Sequence, residues 1–141
     1  VNDNTVQAES NGPLSGQQTN QTTIAAKFSI GLHPVSADGW HTVQHDPKGD
    51  PRQSISLYSV EASADLSKPV LGSLVSLQID FVGEETIEVP AGRFTTKRYR
   101  LAGMNDLWVY GEQRIVIRSD LPGRGLRYVL TSLNESAQPP R

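Results

Sequence analysis

The chain is predicted to be all-β, a curled antiparallel meander forming a barrel, half-barrel or spiral β-roll. Three observations carry this. From residue 73 onward, short runs rich in β-branched and aromatic residues follow one another with little between them. The connections are about two to six residues long, far short of the dozen or more that a parallel crossover needs. And no window of a dozen residues sustains apolar positions at helical spacing. A meander of this length must curl to bury its apolar side.

Residues 1–22 are almost wholly polar, rich in Asn, Gln, Ser and Gly, and cannot offset the entropy of ordering by burial, which predicts a flexible polar arm. Val1 is not an initiator residue, so a processed chain, or a missing upstream segment that completes the sheet, is expected. Residues 23–135 then form a single β domain and 136–141 a flexible tail, since 141 residues leave room for one core rather than two. The first strand candidates are 24–32 and 53–60, the second placing Ile55 and Leu57 on one face. Between them, 34–52 is rich in proline and glycine and is expected to be a long irregular loop with at most a short strand at 40–43. Residues 59–68 offer only a poor helical stripe of Val60, Ala64 and Ser67.

The clearest strand is 73–82, with Val75, Leu77, Ile79 and Phe81 on one side and Ser76, Gln78 and Asp80 on the other. Gly83 and Glu84 are read as a connection to a further strand at 85–89. Pro90 then pre-sets φ for a turn, Val89 before it is pushed toward extended geometry, and Gly92 sits where type I turns favour glycine. The chain reverses there into 94–101, and strands at 107–110, 114–119 and 126–133 complete the meander.

The formal net charge of −2 hides a division along the chain. Residues 1–92 hold eleven acids against four bases, whereas residues 93–127 hold eight bases against three acids. Neighbouring strands that pair opposite charges account for this, and an anion-accepting surface is the functional alternative. Nucleic acid is not an expected partner: the chain is acidic overall and has neither an RNA-binding aromatic signature nor a recognition-helix pattern. There is no cysteine, which removes disulfide and thiol chemistry and is compatible with an exported or a cytosolic protein.

The run Gly83-Glu84-Glu85-Thr86-Ile87-Glu88-Val89-Pro90-Ala91-Gly92-Arg93-Phe94, followed by Tyr99 and by Leu107-Trp108-Val109, resembles the DUF3108-like families of bacterial proteins. The resemblance covers residues 72–133, about half of the chain, and its P-A-G-x-F element is the most specific part. It implies a curved sheet of lipoprotein-carrier or spiral-roll type, often in exported, periplasmic proteins, and no particular activity.

Candidate chemistry is sparse. His33, His41 and His45 lie near Asp38, Asp46 and Asp50. If extended, the segment would hold His41 and His45 about 13 Å apart, too far for one ion, so no metal site and no cofactor is expected. A loop could still present His41 or His45 as a general base. No serine sits in a G-x-S-x-G turn and there is no glycine-rich phosphate loop.

Trp108 and Tyr110 share strand parity and face away from Leu107 and Val109. Arg98 and Arg100 share parity with Phe94, and if they turn inward they need an anion, from Glu85, Asp80 or a ligand. The expectation is therefore a non-enzymatic binder of a hydrophobic or amphipathic small molecule. Its contacts would be Trp40, Phe81, Trp108, Tyr110 and Tyr128, with Arg98, Arg100 or Arg114 for a carboxylate. The alternative is a cofactor-independent lyase, isomerase or hydrolase using His41 or His45 as base and an arginine to hold the substrate. A homo-oligomer could complete the sheet.

Overall fold

The computed structural model describes residues 5–23, 28–30, 35–60, 67 and 72–134. His33, most of the strand expected at 24–32, most of the stripe at 59–68 and the tail 136–141 lie outside them. The described chain is mostly antiparallel β, in a two-stranded and a seven-stranded sheet, and no strand pairing among the described residues closes either one.

The polar N-terminal segment carries pairing that its composition does not suggest. β1 (Thr5–Gly12) and β2 (Gly16–Thr23) form an antiparallel hairpin in register from Thr5 opposite Thr23 to Gly12 opposite Gly16. The three-residue loop ends at Gly16, whose φ of 68° is the left-handed closing conformation such loops need. Backbone hydrogen bonds hold this element, so an argument from apolar burial does not see it.

The large sheet has the order β3-β4-β5-β6-β7-β8-β9. β3 (Ser29–Ile30) pairs parallel with β4 (Arg52–Val60), and every later pairing is antiparallel: β5 (Gly72–Val89), β6 (Gly92–Leu101), β7 (Asn105–Tyr110), β8 (Ile115–Leu121) and β9 (Leu126–Val129). The strands expected at 73–82 and 85–89 are one continuous strand. Gly83, with φ of 147°, and Val82 form a β-bulge rather than a turn: Phe81 opposes Tyr99 and Gly83 opposes Arg98, leaving Val82 unpaired.

That single extra residue decides the packing. Before the bulge Leu77, Ile79 and Phe81 join Ile55, Tyr99, Leu101, Leu107, Val109 and Val116 on one face, here the first face. After it the parity flips, and Ile87 and Val89 pack on the second face with Phe94, Trp108, Tyr110, Ile115, Ile117 and Leu130. The β5–β6 hairpin overhangs its neighbour, since β7 pairs only with Lys97 to Leu101. Its apolar residues cover Trp108 and Ile117, and its tip is tied down where the Ala91 N–H donates to the Leu130 carbonyl at 3.1 Å.

The first face is covered by a helical segment where an irregular loop is expected. Residues Val35–Gln44 form a 3₁₀-helical segment packed on β8, with further contacts to β4 and β7. Its inward residues Asp38, His41 and Thr42, with His45 just beyond, recur at i, i+3, i+4 and i+7. The periodicity is helical, but the stripe is polar, so a search for apolar spacing passes over it. Asp38 and His41 are bonded by partners far along the chain, and Thr42 by a local one. Asn105 Nδ2 donates to Asp38 Oδ2 at 2.9 Å and to Ser119 Oγ at 3.0 Å, His41 Nδ1 meets Ser29 Oγ at 2.7 Å, and Thr42 Oγ1 donates to the Gly39 carbonyl at 2.6 Å.

Candidate functional site

The second face is a charge ladder. Strand register sets Arg52, Asp80, Arg100, Asp106, Asp120 and Arg127 side by side across six strands. Arg52 Nε donates to Asp80 at 2.9 Å, Arg98 Nη2 and Arg100 Nε to Asp106 at 2.7 and 3.0 Å, and Arg127 Nε to Asp120 at 2.8 Å; Arg118 also bonds Asp120. The partner of Arg98 and Arg100 is thus Asp106 of the next strand, with Glu85 only 3.9 Å from Arg98. Trp108 lies between the Arg98 and Arg118 guanidiniums, 4.7 and 4.3 Å from its ring centroid, and donates its indole N–H to Glu85 Oε2 at 2.9 Å.

These contacts tune the carboxylates. The hydrogen bond from Arg118 first, then that from Arg127, hold Asp120 down to about 2 against the opposing effect of burial. For Asp106 burial pushes upward, but hydrogen bonds from Arg100 and Arg98 together outweigh it and leave the carboxyl below its ordinary value. A depressed carboxylate stabilises the fold above its unfolded-state value, and the contribution is lost as pH falls through the folded value. Solvent screening at this partly exposed position limits it to about 1 kcal/mol. Asp120→Asn is therefore expected to lower the urea midpoint at pH 7 and to converge on the parent protein between pH 4 and the folded value of about 2.

The first face holds two adjoining clefts, and a separate concavity of about 510 Å³ lies by Tyr110, Ile115 and Leu133. A cleft of about 290 Å³ opens beside the end of the 3₁₀ segment, lined by His45, Pro47, Phe81, Glu84, Lys97 and Tyr99. A second, of about 260 Å³, is lined by Glu84, Thr95, Lys97, Val109, Glu112 and Arg114 among others, so Glu84 and Lys97 are a wall common to both. His45, Phe81 and Tyr99 form an aromatic cluster with ring centroids 5.3 to 6.0 Å apart. Arg114 Nη1 donates to the Tyr99 hydroxyl at 3.4 Å, which links the two concavities through one phenol.

The local fold explains the placement. Arg114 closes the turn after β7 with φ of 55°, uncommon for a residue with a side chain. Its carbonyl abuts Gly39, where any Cβ would overlap it, so the 3₁₀ segment is docked against the turn that presents the guanidinium. Among the described residues Lys97 and Arg114 have no carboxylate partner, whereas Arg52, Arg98, Arg100, Arg118 and Arg127 are each paired with an aspartate. Of the cations in the basic half that lack such a partner, Arg93 and Arg124 lie elsewhere, whereas Lys97 lines both clefts and Arg114 the second.

Of the residues expected at a site, the structure brings His45 and Phe81 together in the first cleft and sets Arg114 in the adjoining one. Trp108 and Tyr110 lie on the opposite face, Arg98 and Arg100 point there too, Tyr128 is exposed on β9 and Trp40 is exposed on the 3₁₀ segment. His41 is 1% exposed and bonded to Ser29, and it does not line either cleft. His45 is held differently: a carbonyl only accepts, so its Nε2–H donates to the Pro51 carbonyl at 3.0 Å. Among the described residues no three His, Asp or Glu side chains converge to hold a metal ion. Lys97 and Tyr99 are site residues that the sequence reading passes over; their alternation with the inward Leu101 is the available signal, once β6 is known to be covered on that side.

No family model matches the chain, and no curated protein or solved structure is significantly similar to it.

Proposed function

We propose that this protein binds a small amphipathic molecule bearing one anionic group in the first-face cleft, without catalysing its conversion. The observation that carries the reading is the placement of charges: among the described residues five arginines share three aspartates, while Lys97 and Arg114, which have no carboxylate partner, line adjoining clefts beside the His45, Phe81 and Tyr99 rings. An anion between those cations gains charge-assisted hydrogen bonds, and its apolar part lies against the aromatic cluster. The cleft volume of about 290 Å³ is at the small end for ligand sites, favouring a short chain or single ring. The folded-over β5–β6 hairpin supports a half-barrel or roll as the scaffold, in keeping with the DUF3108-like resemblance of residues 83–94.

The test is a matched pair of probes. By calorimetry, octanoate is expected to bind and octanol to bind at least tenfold more weakly, and Lys97→Gln with Arg114→Gln is expected to erase that difference, about 1.4 kcal/mol. Equal binding of the two probes by the parent protein would sink the reading.

The rival enzymatic reading rests on His45, whose fixed Nε2–H leaves Nδ1 as the basic nitrogen. His45→Phe separates the two. Binding in the first reading survives because the ring remains, whereas in the second any turnover of a carboxylate substrate disappears.

A further inference from the structure

We infer that β9 is a self-association edge, and that two copies of this chain join there as an antiparallel, two-fold extension of the sheet. The two edges of the seven-stranded sheet are treated differently. On β4, Leu57 and Tyr58 are paired by β3, and the Gln44 amide continues that cover as a strand would, donating to the Ser56 carbonyl at 3.0 Å and accepting from the Ser56 N–H at 3.1 Å. On β9 all four residues are exposed, and none of the described residues pairs with its outer side; Leu126, Tyr128 and Val129 are 39 to 46% exposed. An edge of apolar side chains with unpaired backbone groups is what sheets otherwise protect.

Backbone parity fixes which groups are available. Leu130 N–H donates to the Ile117 carbonyl at 2.9 Å, continuing a register in which Tyr128 opposes Ser119 and Leu126 opposes Leu121. Those even-numbered residues are the hydrogen-bonded partners of β8, so the N–H and C=O groups of Arg127 and Val129 point outward. A second β9 approaching antiparallel can pair Arg127 with Val129 of the other copy, twice, giving four hydrogen bonds. The two Tyr128 side chains then sit on the axis in a closely spaced non-hydrogen-bonded pair. The alternative register centred on Arg127 yields fewer bonds and opposes two arginines.

Charge opposes the contact little, because each Arg127 is held to Asp120, which it shares with Arg118, through bonds of 2.8 and 3.1 Å and so points along its own sheet. The second copy is favoured over an unrelated strand because one four-residue edge supplies both halves of a self-complementary pairing. With the β4 edge capped, such pairing closes at two copies instead of propagating.

The experiment is sedimentation equilibrium of the full chain at concentrations to about 200 µM, spanning the weak affinities of small interfaces. The parent protein is expected to be dimeric at the upper end. Val129→Pro removes an outward donor without touching the β8–β9 ladder, and is expected to shift dissociation to at least tenfold higher concentration with an unchanged melting temperature. Tyr128→Lys, which leaves the backbone groups in place and opposes like charges on the axis, is expected to do the same. A parent protein monomeric throughout overturns the inference, and so does a dimer that survives both substitutions.

Discussion

Gly39→Ala is expected to cost about 3 kcal/mol of folding stability, read as a fall in the urea midpoint with little change in slope. The new methyl group would overlap the Arg114 carbonyl oxygen and stand 3.0 Å from the Arg114 carbonyl carbon and Val109 Cγ1. None of these is the far end of a flexible side chain, so relief requires the 3₁₀ segment to lift from β8. Lifting it strains the bonds that Asp38 and His41 make to Asn105 and Ser29, and these polar groups are expensive to leave buried and unmatched. Gly49→Ala is the control. There the methyl meets the Gln53 Nε2, a side-chain tip that can move, at 2.9 Å, and the cost is expected to stay below about 1 kcal/mol. A Gly39→Ala protein as stable as the Gly49→Ala protein would show that the segment is not seated as described.

Trp108→Ala is expected to be the most damaging substitution on the second face, at about 4 kcal/mol. Trp108 is 3% exposed, packs against Ile87 and Ile117, and separates two guanidiniums while its N–H engages Glu85. Truncation opens a cavity beneath the folded-over hairpin and brings Arg98, whose Nε is already buried without a partner, toward Arg118. Trp108→Phe keeps most of the ring and loses the donor, so about 1 to 1.5 kcal/mol is expected. Octanoate affinity is expected to be the same in Trp108→Phe as in the parent protein, because the cleft is on the other side of the sheet. A changed affinity would place the ligand with Trp108 and against the first-face site.

The β7 strand is legible in detail from the amino-acid sequence: Leu107 and Val109 lie on the face opposite Trp108 and Tyr110, as alternation requires. The reversal at Pro90 and Ala91 is legible too, with Val89 opposite Gly92. Both depend on chemistry carried by adjacent residues. The strand expected at 73–82 has Leu77, Ile79 and Phe81 inward but Val75 exposed, and it has the wrong end, because a glycine at positive φ can turn a chain or merely bulge it. Gly83 bulges, and the consequence is the transfer of Ile87 to the second face.

The candidate site is harder to read for a related reason. The basic excess of residues 93–127 is evident from the sequence, but which cations are spent on aspartates depends on register between strands. Asp106 lies opposite Arg100 because β6 and β7 are joined by one particular turn, and the same register sets Lys97 between Val109 of β7 and Glu84 of β5 without a close ion pair to either side.

Local alternation, turn chemistry and composition are enough for an antiparallel β protein with a basic second half, since each is a property of neighbours in the chain. The bulge at Val82, the polar 3₁₀ stripe and the placement of Lys97 and Arg114, without carboxylate partners, beside the first-face clefts belong to the folded molecule. A residue's face, its burial and its counter-charge are all set by groups that lie far away along the chain, such as Asp38 and Asn105, which meet across a separation of 67 positions.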